Sequence, residues 1–129
     1  MVKNNPYQAY KQQSVMTMTP GDMLNTVYDA LLKQMNMAKI AFENKDISTI
    51  NTCLQKAQSI LAYLKSTLDF EYPIAENLNQ LYDYFSRTLM QINIRKDPTE
   101  LDDIIQMVAE LQQTYVEADR KTRRVEAIG

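Results

Sequence analysis

Apolar residues recur at helical spacing along most of this chain, and the stretch from Ile74 to Ile94 shows it best. There Leu78, Leu81, Tyr82 and Phe85 fall at i, i+3, i+4 and i+7, so one face is apolar. Asn77, Asn79, Asp83 and Ser86 sit largely off that face. A second apolar line, Ala75, Tyr82 and Leu89, runs beside the first. A helix with one apolar stripe needs one neighbour. A wider stripe needs two, or a partner.

The rest of the chain supplies neighbours. Thr19-Pro20-Gly21-Asp22 predicts a helix start, with Thr19 as N-cap, Pro20 at the first position and Asp22 near the positive helix end. Leu24, Tyr28, Leu31, Met35, Ala38 and Phe42 then form a seam in steps of four and three, ending near Asn44-Lys45. A second helix starts at Asp46 or Ser48 and carries Ile47, Ile50, Leu54, Ala57, Leu61, Leu64 and Leu68. It is expected to stop at Asp69-Phe70-Glu71-Tyr72, and Pro73 opens the third helix, which ends near Ile94-Arg95-Lys96. Asp97-Pro98-Thr99-Glu100 reads as a capping box with proline at the first helical position. Leu101, Ile104, Val108, Leu111, Tyr115 and Ala118 make the fourth seam.

Four helices joined by short loops must run antiparallel to their neighbours. The expected fold is all-α, an antiparallel up-down four-helix bundle over residues 19–118. Residues 1–18 read as a short N-terminal arm, and residues 119–129, with Arg120-Lys121-Thr122-Arg123-Arg124, as a basic, frayed tail. In the arm, Asn5 and Pro6 can start a short helix that places Tyr7, Tyr10 and Val15 on one side. Isolated helices below ~12–15 residues are marginal in water, so it docks on something or stays mobile.

Composition supports this picture and removes several functions. The 129 residues make one domain, and two glycines and four prolines leave long stretches without a helix breaker. Net charge is −2 and the pI about 5.1, so nothing general draws the chain to nucleic acid or anionic lipid. No apolar run approaches the ~20 residues that span a bilayer, and no signal peptide opens the chain. The single cysteine, Cys53, forms no internal disulfide, which suits a reducing cytosol; it reads as a small filler beside Leu54.

Chemistry is poorly represented. There is no histidine and no cysteine cluster, and Asp102-Asp103 and Asp69-Glu71 read as helix-start and loop charges. No base serves a serine or Cys53, and no glycine-rich phosphate loop exists. An enzyme is not expected, nor a metal or other cofactor. The surplus of eight tyrosines and eight methionines says more, because both residue types are over-used on peptide-binding surfaces. Some, such as Tyr28 and Met35, fall in the seam. Ile60, Tyr63, Tyr82, Leu89 and Met107 lie off the primary seams. Composition alone fits a wide core and a binding groove equally well.

The sequence also resembles the bacterial flagellin export chaperones of the FliS family. The likeness rests on Asn5-Pro6-Tyr7 with Tyr10 and Val15, and on Thr17-Met18-Thr19-Pro20, where Met18 and Thr19 stand for the family's Ala and Ser. Leu24 and Val27-Tyr28-Asp29 resemble its Leu-Tyr-Asp segment, with Ala30 where glycine often follows. Lys56-Ala57-Gln58-Ser59-Ile60, Leu64 and Leu68-Asp69 match the second helix; Ile74-Ala75-Glu76-Asn77-Leu78, Leu81-Tyr82-Asp83-Tyr84 and Asn93 match the third.

The resemblance implies a cytosolic chaperone, without catalysis, that binds the disordered C-terminal segment of flagellin. It would keep flagellin from polymerising and present it to the flagellar export apparatus. On this reading Ile60, Tyr63, Tyr82, Leu89 and Met107 are the candidate client contacts, and Tyr82→Ala should weaken client binding more than it lowers stability. Tyr7, Tyr10 and Val15 are a candidate cap that stands in for the client. Asn77, Asp83 and Asn93 either bond the client backbone or fix the bundle by capping and inter-helix bonds. The chain is expected to be a monomer or weak homodimer. The alternative is a non-catalytic helical adaptor that pairs with a second copy through the same stripe.

Overall fold

The computed structural model describes residues 20–128, with side chains from 21 to 118. Thr19 and the arm, including Tyr7, Tyr10 and Val15, lie outside the described residues. Within them the chain forms helices α1 (Pro20–Glu43), α2 (Ile47–Ser66), α3 (Pro73–Arg95) and α4 (Leu101–Ile128), and no strand. None of these helices is long and apolar enough to cross a membrane.

The loops show why the helices stop where they do. With only two glycines in the chain, the left-handed residues that end α1 and α3 are Lys45 (φ 57°) and Lys96 (φ 52°). Each lets the following amide reach back over the helix end: Asp46 N–H to the Ala41 carbonyl at 2.9 Å, Asp97 N–H to that of Ile92 at 3.2 Å. A β-carbon disfavours this geometry, so Lys45→Gly is expected to raise stability by about 1 kcal/mol, read from urea unfolding.

Asp46 caps α2, accepting from Thr49 N–H at 3.2 Å and from its hydroxyl at 2.6 Å. These bonds hold its carboxyl below the usual carboxylate range. Asp97 binds Thr99 in the same way, but Pro98–Glu100 forms a separate turn and α4 starts at Leu101. The capping residue predicted there is therefore present, one turn ahead of the helix. α2 ends earlier than its apolar repeat implies. The Thr67 hydroxyl donates to the Leu64 carbonyl at 2.7 Å and closes the helix, leaving 67–72 as a connecting turn. At the other end, α4 stays helical past Ala118 to Ile128, where a frayed tail was expected.

The four seams meet in one core. Tyr28, Leu31, Met35, Leu54, Leu61, Leu64, Phe85, Leu89, Ile104 and Val108 are fully buried, and Cys53 is a buried free thiol among them. Ile47, expected in the α2 seam, is instead exposed at the helix start. Around the bundle α1 packs on α2 and α4, and α2 on α3; α3 and α4 meet least closely. Polar links tie the tighter pairs. Lys39 bridges to Asp102 at 2.9 Å, and Gln112 donates to Asn25 at 2.8 Å and Asp29 at 2.6 Å, joining α1 to α4. Asn93 donates to Asn51 at 2.9 Å, and Lys65 pairs with Asp83, joining α2 to α3.

Candidate binding cleft at one end of the bundle

Where α2 turns into α3, the bundle end is open. Leu24 of α1, Thr67, Leu68 and Tyr72 of the connecting turn, Ile74 and Leu78 of α3, and Tyr115 of α4 wall a cleft of about 200 Å³. Pro73 sets this arrangement locally. It starts α3 with a fixed φ, so Tyr72 at the N-cap and Ile74 in the first turn stand at the rim. Both are well exposed, Tyr72 at 63% and Ile74 at 60%, and Phe70 beside them at 59%. Grouped apolar exposure of this kind marks binding surfaces. Small-molecule pockets run to ~300–1,000 Å³, so this smaller cleft suits one or two side chains of a peptide.

The floor is made of tyrosines. Tyr82 is buried against the cleft, and its hydroxyl lies 2.5 Å from that of Tyr28, which is fully enclosed. The Tyr115 ring stacks on Tyr28 with centroids 5.7 Å apart. Burial pushes the Tyr115 phenol up to about 12, with Tyr82 adding to the shift. Burial likewise raises Tyr28 and Tyr82 above the ordinary phenol value.

These shifts predict alkaline sensitivity. The folded bundle keeps the three phenols protonated above the pH where they ionise in the unfolded chain. The stability they contribute is complete below about pH 10 and is lost as pH rises through the higher folded values. Melting followed from pH 9 to 12 should show the fall, and ultraviolet titration should show the ionisation of Tyr28, Tyr82 and Tyr115 delayed until the bundle opens.

The residues singled out in the sequence do not converge on one groove. Tyr63 and Met107 are exposed, and Ile60 is half-buried against the core. α2 and α4 do not pack together, so Ile60 and Tyr63 share no seam with Met107. Tyr82 and Leu89 are 2% and 0% exposed; the reading that placed them off the seam is corrected, since α3 turns a wide face inward and buries both lines. Only Tyr82 of the two reaches the cleft. Asp83 and Asn93 are the α3 ends of the links to α2, whereas Asn77 is exposed. Sequence reasoning missed Tyr72 and Ile74 as rim residues. Their signal was present: Phe70, Tyr72 and Ile74 alternate through a turn, where polar residues are usual.

Residues 3–122 match the family described as "Flagellar protein FliS". The flagellar secretion chaperone FliS of Bacillus subtilis is 35% identical over 124 residues, covering 96% of this chain and 93% of its own. The chain belongs to the FliS family. The FliS of Vibrio cholerae is 31% identical over 84% of each chain, and that of Salmonella typhimurium 27% identical over 117 residues. A solved structure titled as a flagellar chaperone from bacteria superposes with a TM-score of 0.75, over 90% of this chain and 96% of its own; at 20% identity the likeness speaks for the fold. FliS proteins are named as flagellar secretion chaperones, and the family is non-catalytic.

Proposed function

We propose that this chain binds the disordered C-terminal segment of flagellin in the bacterial cytosol, keeps it from polymerising, and delivers it to the flagellar export apparatus. The observation that carries this reading is the apolar cleft at the α2–α3 end with its exposed rim of Tyr72 and Ile74, and the exposed Phe70 in the same connecting turn. A disordered client has an ordering cost of ~2–5 kcal/mol or more on binding, and grouped apolar contact is what offsets it. Met107 and Tyr84, both exposed on the helix pair that meets least closely, extend the apolar surface beyond the cleft. A client helix laid between α3 and α4 would cover them.

The N-terminal arm fits the same scheme. α1 begins at Pro20, one turn before the cleft-wall residue Leu24. Tyr7, Tyr10 and Val15 then act as a cap that the client displaces. The test is titration of a labelled flagellin C-terminal peptide into the full chain and into a chain lacking residues 1–18, with flagellin polymerisation followed by light scattering. Saturable binding, suppressed polymerisation and tighter binding without the arm are expected. Absence of peptide binding to the full chain overturns the flagellin reading. Unchanged affinity without the arm overturns the cap. Sedimentation at several concentrations should give a monomer or a weak dimer; a stable dimer that hides the rim would favour the adaptor alternative.

A further inference from the structure

The two helices that meet least closely carry opposite charge. From Tyr84 to its last residue, Arg95, α3 holds two arginines, Arg87 and Arg95, and no carboxylate. From Leu101 to Ala118, α4 holds four carboxylates and no cation. Asp102 turns to α1 and pairs with Lys39. Asp103, Glu110 and Glu117 recur every seven residues, so they share one line of α4, with Met107 beside it. On α3, Arg87, Gln91 and Arg95 follow Tyr84 at i+3, i+7 and i+11. Gln91 and Arg95 line a recess with Thr99 and Glu100 of the loop into α4, which puts this strip on the α4 side; α2 holds the other side through Asp83 and Asn93. Both arginines and the three remaining carboxylates are exposed, and among the described residues none of the five is in an ion pair. Opposite charges therefore border the apolar trough of Tyr84 and Met107 without closing it.

We infer that this trough takes an amphipathic helix whose apolar stripe is bordered by acidic residues on the flank that meets α3 and by basic residues on the flank that meets α4. The occupant is the client segment of the flagellin reading, on which this inference rests. Apolar contact supplies most of the affinity. The charged borders supply register and direction, as they do in paired helices. Turning a helix end for end exchanges its flanks. A segment laid the wrong way then sets carboxylate against carboxylate and cation against cation, and is rejected.

The test titrates a fluorescein-labelled synthetic peptide of the flagellin C-terminal segment into the full chain and four variants: Arg87→Glu, Glu110→Lys, the two combined, and Lys33→Glu. Lys33 is exposed on α1, which does not border the trough, and its reversal changes net charge as Arg87→Glu does. Each single reversal at the trough should weaken binding about three- to tenfold, because it removes an attraction and adds a repulsion. The double variant should lose about the product of the two, and Lys33→Glu should stay within about twofold of the unaltered chain. Both single losses should shrink in about 1 M sodium chloride, where charges are screened beyond ~3 Å. Thermal melts confirm that each variant is folded. Unchanged or higher affinity in either single variant overturns the inference. So does a double variant that regains the affinity of the unaltered chain, since Arg87 and Glu110 would then serve only each other. An equal loss in Lys33→Glu also overturns it, by making net charge the cause. Each of these leaves the flagellin reading standing, whereas no binding by the unaltered chain removes both.

Discussion

Tyr82→Ala is expected to lower the unfolding free energy by about 3–5 kcal/mol, a large part of the ~5–15 kcal/mol that holds a domain of this size. The ring is 2% exposed and fills the space between α1, α3 and α4, so truncation leaves a cavity that neighbouring helices close only in part. It also strips Tyr28 of its hydroxyl partner, leaving a buried donor unpaired at a cost of about 1–3 kcal/mol within that total. Tyr82→Phe separates the two effects, because it keeps the packing and loses only the hydroxyl. Urea unfolding of both variants gives the comparison. This reverses the order expected from spacing alone, where Tyr82→Ala costs binding before stability. A Tyr82→Ala chain that unfolds at the same urea concentration as the unaltered protein would return Tyr82 to the surface.

Ile74→Asp is expected to do the opposite. Ile74 is 60% exposed on the cleft rim and sits in the first turn of α3. A carboxylate there meets unpaired N–H groups and the positive helix end, so stability should hold or rise slightly. Binding of the flagellin peptide should fall at least about tenfold, because the new charge would have to be desolvated under an apolar client. Melting and peptide titration on the same sample make the test. A parallel loss of melting temperature would mean that Ile74 supports the fold, and unchanged affinity would move the client away from this cleft. Together the two substitutions divide α3 into an inward side that builds the bundle and a rim that meets the partner.

Spacing reveals which residues share a helix face but not how wide a face the bundle buries. On α3 periodicity sets the line through Ala75, Tyr82 and Leu89 beside the face of Leu78, Leu81 and Phe85 without saying whether both are buried. In the bundle α3 faces α2, α4 and the core diagonal at once, and both lines go inside. The Tyr28–Tyr82 bond joins residues 54 positions apart, so no local pattern discloses it. The pairing of Asp83 with Lys65, and of Asn93 with Asn51, is hidden for the same reason. The rim was closer to legible. Phe70, Tyr72 and Ile74 interrupt a turn with bulky apolar groups, an anomaly that needs no coordinates to notice.

The sequence by itself determined the helices, their antiparallel order and the family. Seams in steps of three and four, Pro20 and Pro73 at helix starts, and loops too short for crossovers leave little choice, since each acts through bonds within a few residues. Tertiary structure alone decided which apolar residues are core and which are left for a partner. That division depends on the distance and rotation between helices, set by all four seams together. It is why Leu89 is enclosed, Ile74 is not, and three tyrosines from three helices meet at the cleft end of the bundle.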